Sequence, residues 1–183
     1  MLITTLYNAC LFPTPTFKHM ADYSSLKILL IEDNQHMRSI VIAILKGSGI
    51  RNVREARDGA EGLDMLRQYP ADIALVDFNM NPIDGVEFTK MLRNSSDSSN
   101  PYLPIIMITG HSERSRVIQA RDAGVNEFIV KPLTARALLG RLDSVIMRPR
   151  PFIRCKTYFG PDRRRTSDQS YAGPFRRNTD NAY

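Results

Sequence analysis

Five short apolar runs, each followed by a longer segment with helical spacing, constrain the fold of this chain more than any other feature. Each run has the length of a strand, and most of them are too continuously apolar for a strand with one wet face. Such strands are typical of a sheet that is covered on both sides. The predicted strands span residues 27–31, 52–56, 73–76, 104–108 and 127–130.

Helical spacing of apolar residues follows each strand, as at Ile40 and Ile44 before the stop at Gly47. Asp58 and Thr134 precede two of these segments and are typical N-cap residues. The predicted helices are one that ends at residue 47 and four over residues 58–69, 84–93, 112–123 and 134–147. Because strands and helices alternate, we expect an α/β fold, a doubly wound sheet of five parallel strands with helices on both faces.

The net charge of +6 comes entirely from the C-terminal part of the chain. Residues 1–147 contain 16 basic and 16 acidic residues, whereas residues 148–183 contain 9 basic and 3 acidic residues. No apolar stretch approaches the ~20 residues that span a bilayer. The two cysteines, Cys10 and Cys155, are far apart and have no companion at metal-ligand spacing, so we expect neither a disulfide scaffold nor a zinc site.

The segments on either side of the alternating region are predicted to be disordered. Residues 1–24 show no useful period, and Met20 is an alternative start. Residues 148–183 hold several prolines, few apolar residues and three consecutive arginines at 163–165. We therefore expect an N-terminal extension over 1–24, one domain over 25–147, and a basic tail over 148–183 that is too short for a helix-turn-helix or an enzymatic domain.

Polar residues stand where four of the predicted strands end. In a parallel sheet these ends lie at one edge, where ligands bind. Three acidic side chains there would repel one another unless a cation neutralised them. With no histidine or cysteine among these residues, the oxygen-rich set favours Mg²⁺ and the transfer of a phosphoryl group onto an aspartate. These residues are Glu32 and Asp33 after the first strand, Asp77 after the third, Thr109 after the fourth, and Lys131 with Pro132 after the fifth.

Each of these residues also has an ordinary structural explanation. Glu32 and Asp33 could cap the following helix, Thr109 could belong to a turn, and Lys131 could be a solvated surface lysine. That explanation requires independent accidents at one edge of the sheet, so we favour the functional one.

In their order and spacing, Glu32-Asp33, Asp77, Thr109-Gly110 and Lys131-Pro132 resemble the receiver domain of bacterial two-component response regulators. The resemblance covers residues ~26–147 and implies a flavodoxin-like (βα)5 fold. It implies that Asp77 is the phosphoacceptor and that Thr109 and Lys131 contact the phosphoryl group. It also implies a Mg²⁺ site formed by Glu32, Asp33, Asp77 and the backbone carbonyl of Asn79.

The resemblance implies two further features, and this sequence departs from the family pattern in the loop after Asp77. The Lys131–Pro132 bond is expected to be cis, and Phe128 matches the aromatic residue that moves inward when Thr109 engages phosphate. Without the resemblance, Phe128 would be interpreted as an ordinary core residue. The family usually has proline four residues after the phosphoacceptor; here Asn81 occupies that place and Pro82 follows it.

The resemblance implies a phosphoacceptor signalling domain in the cytoplasm, not an enzyme. We expect a stand-alone receiver that takes its phosphoryl group from a histidine kinase or a histidine phosphotransfer protein. Its effector would bind the face of strand 4, helix 4, strand 5 and helix 5. The alternative is a transcriptional or nucleic-acid-associated regulator that acts through the Arg-rich tail. A phosphohydrolase with an aspartyl nucleophile is disfavoured, because Asn79 stands where such enzymes need a second aspartate.

Overall fold

The computed structural model describes residues 23–110 and 114–164. The expected N-terminal extension up to residue 22, the start of the fourth helix at residue 112 and the tail from residue 165 lie outside the described residues. In the described part of the chain, no helix is long and apolar enough to cross a membrane.

The five expected strands form one parallel sheet, which confirms the predicted fold class. Their spatial order is β2-β1-β3-β4-β5, so the strand order reverses beside β1 and leaves a crevice at the carboxyl ends of β1 and β3. The strands are β1 (Lys27–Ile31), β2 (Asn52–Ala56), β3 (Ile73–Asp77), β4 (Ile105–Thr109) and β5 (Glu127–Val130).

Five helices connect and follow these strands, with bounds close to those predicted. The second helix ends three residues early: the N–H groups of Arg67 and Gln68 donate to the carbonyls three residues back, which tightens the last turn, and Pro70 disfavours helical geometry at Tyr69. Tyr69 leaves the helix and its hydroxyl group donates a hydrogen bond to the carbonyl of Asn52, 2.9 Å away. The helices are α1 (Gln35–Gly47), α2 (Gly59–Leu66), α3 (Gly85–Asn94), α4 (Arg114–Ala123) and α5 (Ala135–Met147).

Each face of the sheet has its own hydrophobic core. Alternate residues of β1 serve the two cores: Leu29 and Ile31 pack with residues of α2, α3 and α4, whereas Ile28 and Leu30 pack with residues of α1 and α5. All four side chains are fully buried. Two covered faces explain why the strands are continuously apolar.

The prediction of a disordered tail is wrong for residues 148–164, which follow α5. Residues Phe152–Cys155 and Tyr158–Pro161 form the antiparallel hairpin β6–β7, and β7 is buried. The rings of Phe152 and Phe159 lie 5.3 and 5.2 Å from that of Tyr102, which precedes β4. This segment contains few apolar residues, but each aromatic ring of the hairpin buries a large apolar area when the hairpin packs against the domain.

Candidate functional site

The carboxyl ends of β1, β3, β4 and β5 bring the predicted polar residues to one edge of the sheet. Asp77 is the last residue of β3 and Thr109 the last of β4, while Glu32 and Lys131 directly follow β1 and β5. Asp77 pairs with Ile108 and Thr109 with Val130, so the ends are level. Residues distant in sequence therefore meet because parallel strands end together.

Three carboxylates form a cluster at this edge. Glu32, Asp33 and Asp77 each offer an oxygen atom, and these atoms lie within 4.8 Å of one another. Glu32 and Asp77 are buried, whereas Asp33 is exposed and leaves the cluster open to solvent. Three hard oxygen donors with an open side fit Mg²⁺, which keeps part of its water shell and binds few protein ligands.

Lys131 lies against the two buried carboxylates and offsets part of their negative charge. Its Nζ atom lies 2.6 Å from Oδ1 of Asp77 and 3.0 Å from Oε2 of Glu32. Burial lowers the pKa of Lys131, but the hydrogen bonds and charges of Asp77 and Glu32 outweigh it and raise that pKa above its ordinary value. Burial, reinforced by the charge of Asp77, raises the pKa of Glu32 even though Lys131 opposes the shift.

The loop after β3 fixes the second oxygen of Asp77. The backbone N–H of Asn79 donates a hydrogen bond to Oδ2 of Asp77 at 2.9 Å. Asp84 caps α3 by accepting a hydrogen bond from the N–H of Glu87, and Gly85 brings the start of that helix against β3. A Cβ atom on Gly85 would overlap the carbonyl oxygen of Asp77, so glycine is required for this close approach.

A comparison with known protein families decides what this arrangement belongs to. The response regulator receiver domain matches residues 28–143, which include every residue of the cluster. The chain belongs to the response regulator receiver family.

The receiver is similar to chemotaxis proteins across about two thirds of its length. It is 39% identical over 124 residues to the chemotaxis protein CheY-3 of Vibrio cholerae, covering 68% of this chain and 94% of that protein. It is 34% identical over 123 residues to the chemotaxis protein CheY of Pseudomonas aeruginosa, with coverages of 67% and 98%. The structure of chemotaxis protein CheY4 of Vibrio cholerae superposes with a TM-score of 0.60 at 29% identity, covering 66% and 98%.

Thr109 and Phe128 lie on the face of the receiver's sheet that carries α4. Thr109 is buried, and Phe128 is half-buried against the core under α2, α3 and α4. Phe128 pairs across the strands with Met107, two residues before Thr109, so alternation puts Phe128 and Thr109 on the same face. The Lys131–Pro132 bond after β5 is cis, as is the Asn81–Pro82 bond in the loop after Asp77.

Two arginines of the receiver site were not predicted from the sequence. Arg38 on α1 donates hydrogen bonds to the carbonyls of Glu32 and Asp33 at 2.7 and 3.0 Å, which holds the loop that carries both carboxylates. Arg116 on α4 donates to Oδ1 of Asn79 at 2.8 Å. Both residues lie on helices with no local motif, and only the folded arrangement shows what they contact.

Proposed function

We propose that this receiver accepts a phosphoryl group on Asp77 from a phosphohistidine of a histidine kinase or a histidine phosphotransfer protein. The observation that carries the proposal is the buried Asp77 carboxylate, held by Lys131 and Asn79 inside an acidic cluster that is open on the side of Asp33. In the transfer, the P–N bond of the donor breaks as a P–O bond to Asp77 forms, and the histidine leaves as a neutral imidazole after taking up a proton.

The proposed metal ligands are Glu32, Asp33, Asp77 and the backbone carbonyl of Asn79. When bound, Mg²⁺ would offset the negative charge that builds up on the phosphoryl oxygens. Asp33 and Glu32 would supply the negative charge that retains the ion, and the exposed position of Asp33 would give the ion access from solvent. The hydrogen bond from the N–H of Asn79 to Asp77 keeps the loop after β3 beside the cluster.

Lys131 and Thr109 are the proposed contacts of the phosphoryl group. Lys131 already lies against Asp77, so its ammonium group can follow the charge onto the phosphoryl oxygens with a small movement. Thr109 ends the neighbouring strand and offers a hydroxyl donor at the same edge. The contact of Lys131 with Asp77 exists before the reaction, which would reduce the reorganisation that the transfer requires, whereas Thr109 would have to move toward the phosphoryl group.

The proposed output is a phosphorylation-dependent protein–protein contact. Movement of Thr109 toward the phosphoryl group would vacate space on the face that it shares with Phe128, and the half-buried ring can then turn inward. The surface of β4, α4, β5 and α5 would change shape and bind its effector. Two tail arginines, Arg150 and Arg163, form ion pairs within the chain, which supports this output over binding of nucleic acid by the tail.

Labelling with a small phosphoryl donor tests the proposal. Acetyl phosphate with Mg²⁺ should add one phosphoryl group, which intact-mass measurement detects, and EDTA or Asp77→Asn should abolish it. Asp58→Asn is the matched control, because asparagine preserves the N-cap that Asp58 provides to α2 and labelling should persist. Equal labelling of Asp77→Asn and the wild type would falsify the assignment.

A further inference from the structure

The hairpin β6–β7 touches the turn between α4 and β5 through two glycines. A Cβ atom on Gly160 would lie 2.8 Å from Cα of Gly124 and 2.7 Å from the Tyr158 hydroxyl oxygen. Gly124 has φ +103°, and a Cβ atom there would lie 2.9 Å from the carbonyl oxygen of Phe159. The two backbones are therefore in direct contact, and a larger side chain at either position would separate them.

Two arginines extend this contact to the end of α4 and the start of β5. Arg163 forms an ion pair with Asp122 on α4 at 3.2 Å, and its guanidinium group lies 4.0 Å from the centre of the Tyr158 ring. Arg150 donates hydrogen bonds to the carbonyl of Asn126, before β5, and to that of Asp162 at 3.0 Å. The hairpin and these two flanking arginines thus contact both sides of the α4–β5 turn.

A buried arginine joins α3 to the same network. Arg93 is 1% exposed and donates to the carbonyl of Gly124 at 3.1 and 3.2 Å and to that of Pro101 at 2.7 Å. Its guanidinium group lies 5.0 Å from the centre of the Phe152 ring on β6. Burial lowers the pKa of Arg93 to about 10. The hairpin covers this desolvated cation. Removing the hairpin would therefore disturb α3 as well as the α4–β5 turn.

Near the opposite end of α4, Arg116 contacts the loop that follows Asp77. Arg116 donates to Oδ1 of Asn79 at 2.8 Å, and its guanidinium group lies 5.2 Å from the centre of the Phe78 ring. The N–H of Asn79 in turn donates to Oδ2 of Asp77 at 2.9 Å. A helix of this length behaves as a rod about 15 Å long. Contacts at its two ends therefore connect the hairpin to the Asp77 carboxylate.

We propose that the C-terminal hairpin is a positioning element for Asp77 and acts through α4 and Arg116. Gly160 and Arg163 hold the end of α4, and the helix then keeps Arg116 against Asn79. Asn79 fixes one oxygen of Asp77 while Lys131 holds the other. In its consequence for phosphoryl transfer, the inference rests on the proposed function.

Gly160→Ala tests the inference, because the added methyl group pushes β7 away from Gly124. Gly140→Ala is the matched control, since Gly140 lies in α5 and an added methyl group there would meet no atom within 4 Å. Backbone amide exchange of residues 114–125 and of Asn79, measured by NMR, should rise about threefold or more in Gly160→Ala and should not rise in the control. The rate of labelling by acetyl phosphate should fall about threefold, because the Asp77 carboxylate is less well oriented.

Arg116→Ala and the double variant show whether the effect passes through Arg116. Arg116→Ala should speed the exchange of the Asn79 amide and slow labelling, and adding Gly160→Ala should change neither any further. The inference is overturned if Gly160→Ala loosens residues 114–125 but leaves Asn79 and labelling unchanged, or if the two substitutions act additively.

A second measurement and a second variant cover the cases in which the wild type is not labelled or Gly160→Ala does not fold. If the wild type is not labelled at all, the proposed function fails, while exchange of the Asn79 amide still confirms or rejects the link to the hairpin. If Gly160→Ala does not fold, Asp122→Asn replaces it, because it removes the ion pair with Arg163 at an exposed position; Arg121→Gln is the control for the second ion pair that Asp122 forms. The expected changes then have the same direction, and an unchanged Asn79 amide rejects the inference.

Discussion

The ammonium group of Lys131 lies 2.6 Å from the Asp77 carboxylate, and the same group lies 3.0 Å from Glu32. Both carboxylates are almost completely buried, whereas Lys131 is 24% exposed. Two buried anions side by side are unfavourable without a cation. Lys131 therefore stabilises the fold of this region in addition to its proposed role in phosphoryl transfer.

We expect Lys131→Met to destabilise the protein at pH 7 in EDTA by about 1–3 kcal/mol, below the full effect of breaking a buried ion pair because Lys131 is partly solvated. Urea denaturation measures this free energy of unfolding. Lys90→Met, an exposed lysine of α3, should change it by less than about 0.5 kcal/mol. Equal effects of the two substitutions would show that Lys131 has no special electrostatic role in stability.

Mg²⁺ should stabilise the protein against unfolding, because the folded chain brings the three carboxylates together and the unfolded chain does not. At a concentration of about 100 Kd the gain is about 2.7 kcal/mol, and EDTA should remove it. Asp33→Asn should weaken the effect, whereas Asp64→Asn on the exposed side of α2 should not. Thermal denaturation across a Mg²⁺ titration measures the gain, and an undiminished gain in Asp33→Asn would contradict the proposed ligand set.

The raised pKa of Glu32 predicts a pH dependence of stability in EDTA. The folded state holds the proton of Glu32 more tightly than the unfolded state does. This residue therefore contributes stability below its ordinary pKa of 4.5, and that contribution is lost as pH rises through the higher folded-state pKa. Glu32→Gln should gain stability relative to the wild type as pH increases from about 4 to 7.

Urea denaturation at several pH values in this range checks the prediction. Glu61→Gln makes the same change at an exposed position of α2 and is the control variant over the same pH range. A difference between wild type and Glu32→Gln that does not change with pH would show that Glu32 does not titrate in this window.

Gly85→Ala should destabilise the protein by roughly 1–3 kcal/mol, because the added methyl group would overlap the Asp77 carbonyl oxygen. Gly140→Ala should instead stabilise it by about 0.5–1 kcal/mol, since it removes a flexible residue from an exposed position of α5 without a clash. Urea denaturation of both variants gives the comparison. A stabilising effect of Gly85→Ala would mean that α3 can move away from β3.

The strands, the helices and the edge that carries the cluster followed from local patterns. Continuously apolar runs predicted buried strands, and Asp58 and Thr134 marked helix starts that the structure confirms. Parallel alternation then brought Glu32, Asp77, Thr109 and Lys131 to one edge, because all strands end there. The end of α2 was missed by three residues, since the exit of Tyr69 depends on its hydrogen bond to β2 as well as on Pro70.

The sequence by itself determined the sheet, its covering helices and the family, because these depend on period, on polarity and on residues at strand ends. Only the tertiary structure decided the hairpin and the contacts of Arg93 and Arg116. A two-stranded hairpin is marginal in isolation, and β6–β7 forms because its aromatic rings and arginines meet Tyr102, Gly124 and Asp122. Those partners are far away along the chain, so no local pattern of residues 148–164 could reveal that they fold.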